Sequence, residues 1–523
     1  MNTSNTYDNT YDETPYPFLS YSETHPDLLS AIATVLGMAP KPINQCRILD
    51  IGGASGGNLL PLALVLPQSE FVVVDYSARQ IEEGKAIAEV LGLTNIRFLQ
   101  QDIMTMSPDL GQFDYIMAHG LYSWVPATVR DQLLAVIKQL LAPQGVAYVS
   151  YNLYPGWFYM RMMREMMLYH TRHIREPAAK AREARAYIQF LSEGVKPDSG
   201  AFGLFLHSYQ QVLNKDVRVD ATLLHDELET VNEPVYFHQF AGHAAAHGLQ
   251  YLAEADFDTV FPSNFPPAIT EKLLQMATDT IDLEQQMDFL RNRTFRKTLL
   301  CHEGINLTRN LSPAQAQHLR FTARIHPVSD KPDITGDTVE RFQAINEATF
   351  ATNHPVTKAA LLHLGHIAPQ TLPFARLLHH AITMAYPTLP DQMTINRDAT
   401  LLAANLLQAS TYSPLLMELH TWQAPFTLEI SARPVVSPYA RWQAQTQRLV
   451  TNLRHERIRL DDLTHFLVLQ LDGSVDKEML QERVAAAIQD GSLPAPENAN
   501  LEQELTLGLK WLAQAALLWP TAG

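Results

Sequence analysis

The stretch Arg47-Ile48-Leu49-Asp50-Ile51-Gly52-Gly53-Ala54-Ser55-Gly56-Gly57-Asn58 constrains this chain more than any other. A short apolar run ends in an aspartate, a glycine-rich turn follows, and a helical pattern starts near Asn58. Strand, tight loop and helix start in that order form the entry of a nucleotide-binding α/β sheet. Glycines let the backbone bend sharply and let a ligand come close. Asp50, at the mouth of the strand, narrows the choice of ligand. A carboxylate there repels a pyrophosphate but suits the ammonium group of S-adenosylmethionine (AdoMet), which carries no phosphate. The glycines also fit G-x-A-x-x-G, so on this loop alone a dinucleotide, or a turn with no ligand, stays open.

The units that follow favour AdoMet. Glu70–Asp75 is a β-branched run ending in an acid, near the spacing of a ribose-binding carboxylate. Asp75 can accept from both ribose hydroxyls, with Tyr76 and Ser77 directly behind it as further cofactor candidates. A third strand, Asn95–Ile103, ends in Asp102, placed to accept from the adenine amino group, with Ile103 against the ring. Phe113–His119 and Gly145–Asn152 read as the fourth and fifth strands, and helical patterns fall at Ala78–Leu91 and Ala127–Leu141. This alternation predicts a parallel sheet wound by right-handed crossovers. Ligands of such sheets sit beyond the carboxyl ends of the strands, where Asp50, Asp75, Asp102, His119 and Asn152 gather. Gly52, Gly53, Gly56 and Asn58 complete the first loop's share of the site.

The totals exclude several classes. With 523 residues, 46% of them hydrophobic, the chain can hold several cores and about three domains. Its net charge of −16 argues against nonspecific nucleic-acid binding. Apolar runs are too short for a membrane span, and the polar start lacks a signal region. Cys46 and Cys301 make neither a disulfide framework nor a cysteine-rich zinc site, and they read as buried thiols of a cytoplasmic protein. Four histidines, His225, His238, His243 and His247, invite a metal reading. His243 and His247 share a helical face, but no glutamate follows His243 as a zincin requires, so no metal is expected.

Aromatic residues cluster where a substrate would meet the cofactor. Tyr11 and Tyr16 lie in a proline-stiffened arm that reads as a lid. Tyr122 and Trp124 follow His119, and Trp157 follows the fifth strand. A helix is expected over Glu284–Arg296, held by ion pairs, and a strand over Thr427–Ala432. Leu463–Asp490 reads as a winged-helix-like packing unit, and Leu501–Leu518 as a closing amphipathic helix.

These residues carry a resemblance. Tyr11–Tyr16, Thr24-His25-Pro26, Asp50–Asn58, His119–Pro126, Pro155-Gly156-Trp157, His225–Leu228 and Arg293–Arg296 resemble class I AdoMet methyltransferases with a methyltransferase regulatory domain. Within these the chain is most similar to rickettsial-type protein-lysine methyltransferases of outer-membrane proteins. The resemblance implies a Rossmann-like methyltransferase sheet, a helical insert with the regulatory region, and a mostly helical C-terminal part with a winged-helix-like domain. It divides the chain into a lid (1–40), an AdoMet core (41–157), the insert and regulatory domain (158–302), a helical middle domain (303–420) and a winged-helix-like domain (421–523). It further implies a protein substrate, such as an outer-membrane protein before export.

AdoMet brings an already activated methyl group, so transfer needs alignment and a neutral amine and no metal. Lysine's amine has an unperturbed pKa of about 10.4, and an apolar aromatic channel lowers it by desolvation. Tyr16, Tyr122, Trp124 and Trp157 are the candidates for that channel, with His119 or Tyr122 orienting the amine. Alternatives are a small-molecule methyltransferase, a non-catalytic adaptor on the same fold, and a nicotinamide reductase, which Asp50 opposes.

Overall fold

Five apolar runs become parallel strands: β1 (Arg47–Ile51), β2 (Glu70–Asp75), β3 (Ile96–Gln100), β4 (Phe113–Ala118) and β5 (Leu141–Asn152). The computed structural model describes residues 18–215, 220–494 and 500–520. Tyr11 and Tyr16, named above, lie outside the described residues. Between the strands run α1 (Pro26–Val35), which precedes β1, α2 (Leu60–Val65), α3 (Ala78–Val90) and α4 (Ala127–Leu140). His25 caps α1, its Nδ1 accepting from Asp27 N–H at 3.0 Å, with Pro26 preset for the first helical position. Ser77 caps α3 in the same way.

The sheet has seven strands in the order β3-β2-β1-β4-β5-β7-β6. The chain winds outward from β1 to one edge, then restarts at β4 on the other side. That makes a switch point between β1 and β4, where open α/β sheets leave a crevice for ligands. Successive strand residues face opposite ways. Ile48, Phe71, Val73, Tyr115 and Tyr148 pack beneath α1, α2 and α3, while Leu49, Val72, Val74, Ile116 and Val149 pack against α4 on the other face.

An insert of helices, α5 (Trp157–Thr171), α6 (Pro177–Gly194), α7 (Ala201–Lys215) and α8 (Asp220–Asp226), leads to α9 (Phe237–Ala246) and edge strand β6 (Leu249–Glu254). Helices α10 (Pro267–Met276) and α11 (Thr280–Arg291) follow, then β7 (Phe295–His302). These corrected two expectations. The sheet is mixed, because β7 runs antiparallel to both β5 and β6. The helix expected through Arg296 ends at Arg291, where Asn292 turns left-handed (φ 48°) and releases the chain into β7.

Arg296 therefore sits on a strand, fully buried. Its guanidinium donates to Asp288 (2.8 and 3.0 Å), Glu254 (2.8 Å) and Glu284 (2.9 Å) and lies over the Phe237 ring. Arg293 adds a second cation within 3.3–3.9 Å of Glu254, Asp256 and Asp288. One knot thus ties β6, β7 and α11 together.

Beyond β7 the chain forms helices and two three-stranded sheets up to His420. Asp27 of α1 binds this part: Thr421 and Trp422 N–H, Thr421 Oγ1 and His420 Nδ1 all reach its carboxylate. The pairing holds Asp27 below the usual carboxylate range and raises His420 to about 9. Thr427–Ala432 is not a strand but a run of bends. Thr427 N–H does reach Leu518 O at 3.1 Å, but its hydroxyl then accepts from Glu429 N–H at 3.0 Å and turns the chain, and it is Val435–Val436 that pairs with Leu518–Trp519. The last helix accordingly stops at Gln514, short of the Leu518 expected, because Ala516 is left-handed (φ 53°) and the chain then joins this small sheet.

Candidate active site

The carboxyl ends of β1, β2, β3 and β4 open into a cavity of about 960 Å³. Its wall takes Asp50 from the end of β1 with Gly52, Gly53 and Asn58 from the loop after it, Asp75 from the end of β2 with Tyr76 and Ser77 behind it, Asp102 and Ile103 from the turn after β3, and His119 and Trp124 from the loop after β4. Topology alone brings these distant residues together, since each lies at the end of a neighbouring parallel strand.

Asp75 is held from both sides. Ala54 N–H donates to one oxygen and Ser77 N–H to the other, each at 2.8 Å. A carboxylate fixed in this way is oriented to accept from a pair of vicinal hydroxyls. Asp102 spends one oxygen capping the turn after β3 through Met104 N–H (2.9 Å) and keeps the other. Asp50 is different: it is 3% exposed, and burial pushes its carboxyl up to about 7, against a hydrogen bond from Asn58 and with added repulsion from Asp75. Among the described residues no cationic side chain pairs with it, so a ligand ammonium would supply the missing charge. Two hydroxyl acceptors, an amino acceptor and a buried acid awaiting a cation fit the adenosyl and amino-acid parts of AdoMet.

Gly56 does not line the cavity. It turns the loop with φ +75°, and a Cβ there would stand 2.7 Å from the Phe98 ring. Tyr122 and Trp157, expected in a channel, are also placed elsewhere. Tyr122 opens a one-turn helix whose residues point about 120° apart. Trp124 consequently faces the cavity, while Tyr122 enters the core under α9, against Phe240 and hydrogen-bonded to His243 Nδ1 at 2.8 Å. Trp157 begins α5 with its N–H on Leu153 O, buried beside Gly156, where a Cβ would stand 2.5 and 2.6 Å from the Asn292 and Arg293 carbonyl oxygens. Asn152 is buried and donates to Asn232 Oδ1 at 3.0 Å. These three anchor elements around the site.

His119 is fixed and uncharged. Its Nδ1 meets Tyr148 Oη at 3.0 Å, and burial lowers its pKa to about 4, only partly offset by Glu23. Tyr21 lies against it with ring centroids 3.8 Å apart and the planes tilted by 31°, and Arg457 lies 5.7 Å from the Tyr21 ring. Phe18, the last residue of the aromatic arm, lines the cavity together with Leu19 and Tyr21, which no sequence motif marks, just before Thr24-His25-Pro26.

The far wall comes from residues 225–231, including His225, Asp226 and Glu229. Trp124 Nε1 donates to Asp226 O at 3.1 Å, which pins this segment over the fourth loop. The C-terminal region closes the other side without lining the cavity. His455 Nε2, Tyr21 N–H and Thr24 Oγ1 converge on Asn58 Oδ1 at 2.9, 3.1 and 3.0 Å. Tyr439 Oη donates to Gly57 O at 3.3 Å.

Comparisons with known proteins agree with this geometry. Residues 48–145 match a methyltransferase domain, 219–302 a predicted methyltransferase regulatory domain, and 432–515 the C-terminal winged helix domain of PKMT. An uncharacterised Rickettsia prowazekii protein, RP789, is 32% identical over 494 residues, covering 93% of this chain and 87% of its own. The structure of PKMT2 from Rickettsia typhi in complex with AdoHcy superposes with a TM-score of 0.85 at 26% identity, over 96% of this chain and 100% of that one. A second R. prowazekii protein, RP028, is 36% identical over 230 residues, 44% of this chain and 91% of its own. With its strand-end cradle and these three matched domains, the chain belongs to the AdoMet-dependent class I methyltransferases that carry a methyltransferase regulatory domain and a PKMT-type C-terminal winged helix.

Proposed function

We propose that this methyltransferase transfers methyl groups to lysine side chains of a protein substrate. The observation that carries the reading is the reach of the cavity. It does not stop at the adenosyl cradle but continues past Trp124 to Asp226 and Glu229, at about 960 Å³. That is the upper end of the roughly 300–1,000 Å³ of ordinary ligand pockets. An acidic rim before an aromatic wall suits a long cationic side chain entering from solvent. The kinship with PKMT2 supports a protein substrate.

Asp50, Asp75 and Asp102 would hold the cofactor, which supplies an electrophilic methyl group. Trp124 and Tyr21 would border the incoming side chain, and desolvation between them lowers the lysine pKa so that a neutral amine docks. His119, with its pKa near 4, is too weak a base to take a proton from an ammonium of about 10.4, so its part is to hold the amine's approach through its ring and Tyr21. The proton leaves to solvent as the side chain enters between these rings, where desolvation disfavours the ammonium.

Labelled AdoMet incubated with the protein and a bacterial lysate tests this. Label in polypeptide, recovered as methyl-lysine and absent when the lysate's lysines are acetylated before the incubation, is the expected result. Label confined to small molecules overturns it.

A further inference from the structure

Outside the cavity, α4 and α9 bring three metal-ligating side chains together. Asp131 Oδ1 lies 2.9 Å from His247 Nε2 and 3.4 Å from His243 Nε2, and all three ligand atoms fall within 4.8 Å of one another. Sequence spacing put the two histidines on one helical face without a third ligand. The fold supplies it from a helix more than a hundred positions earlier.

We propose that Asp131, His243 and His247 form a site for a divalent transition ion, with Zn²⁺ the best fit. Donors about 2.0–2.1 Å from zinc in a tetrahedron stand roughly 3.3 Å apart, close to the two separations seen. Imidazole with a single carboxylate favours zinc, cobalt or nickel over magnesium or calcium. A second observation is independent of the cluster. Tyr122 Oη, 2.8 Å from His243 Nδ1, can accept that nitrogen's proton, leaving the Nε2 lone pair facing Asp131. Outer partners of this kind fix the tautomer and ring of metal-bound histidines. Asp131, with 66% of its side chain exposed, leaves room for water to complete the coordination.

None of the three residues lines the methyl-transfer cavity, so the ion has no part in that chemistry. Its effect would be mechanical: it would staple α4 to α9 beneath Tyr122, the first residue of the turn that presents Trp124.

Chelator-treated full-length protein titrated with Co²⁺ and with Zn²⁺ tests the site. One equivalent should bind, Co²⁺ giving the visible ligand-field bands of a four-coordinate ion. D131N and H247Q should each weaken binding at least tenfold. H380Q, altering the stacked His363–His380 pair elsewhere on the surface, should not. Zn²⁺ should raise the melting temperature of the parent protein and of H380Q but not of D131N. Asp131 is surface-exposed, so D131N carries the test if H247Q proves unstable. No binding, binding unchanged in D131N, or loss of binding in H380Q instead would overturn the site.

Discussion

Two buried polar networks flank the sheet, and they are built on opposite principles. The Arg296 knot is charged and self-contained: two guanidinium groups face Glu254, Glu284 and Asp288 within one fold segment. The Asn58 junction is uncharged and assembled from afar, its amide oxygen drawing Tyr21, Thr24 and His455, the last 397 positions away. The first network touches no cavity residue through its ion pairs. The second grips the loop that holds Asp50. Charge thus locks the sheet edge, while neutral hydrogen bonds join the ligand loop to the N-terminal and C-terminal segments.

Removing Arg296 should have the largest effect. Arg296→Ala leaves three buried carboxylates with Arg293 and the more distant Arg291 as neighbouring cations, a loss on the order of 3–5 kcal/mol. Thermal or urea unfolding should show the fall. It should shrink on mild acidification, because burial already holds Asp288 near 6 and the stranded acid can take up a proton. An unchanged melting temperature would mean that the knot contributes no net stability. Asp75→Ala inverts the pattern: calorimetry with AdoHcy should show at least a tenfold loss of affinity, since hydrogen bonds to a charged group contribute roughly 1.5–3 kcal/mol each. Its unfolding should change far less than that of Arg296→Ala.

The contrast also marks what the sequence could disclose. The five parallel strands, their terminal acids and the intervening helices were legible because each is a local pattern with period 2 or 3.6 ending in a turn. Asp50, Asp75 and Asp102 were read from strand ends and Trp124 from the aromatic run after the fourth strand, and all four line one cavity in the structure. The antiparallel β7 was not legible, because a single left-handed Asn292 decides where α11 gives way to strand. Tyr122 and Trp157 were misplaced because a local run names aromatics but not the side of the turn on which each emerges. Tyr21 and His455 left no signal, since their meeting depends on how whole modules dock.

Protonation offers a way to sharpen the comparison at the ligand loop. Asp50 carries a pKa of about 7 when no cation is near, and an ammonium ligand favours its ionised form. Below about pH 7 binding must displace a proton. AdoHcy affinity should therefore fall by up to about tenfold per unit of pH, and should level off above 7. The sign is reversed for the ligand-free fold: a raised carboxyl contributes stability below its unfolded value, lost as pH climbs through 7. Asp50→Asn should flatten both profiles. A binding curve that is flat from pH 6 to 8 in the parent protein would remove Asp50 from the ammonium site.

The smallest expected effect is the most informative about the junction. His455→Leu deletes one of three donors to Asn58 while Tyr21 and Thr24 remain. One net hydrogen bond amounts to about 0.5–1.5 kcal/mol, which converts to a rise of roughly 2- to 13-fold in the AdoHcy dissociation constant. His455 does not line the cavity, so such a rise can reach the ligand only through the loop that Asn58 holds. If affinity is unchanged while the melting temperature drops, the winged helix is scaffold there and nothing more. If affinity falls while unfolding is unaltered, the C-terminal domain helps to set the cofactor loop, and the distance between His455 and Asn58 in sequence explains why neither region announces the partnership by itself.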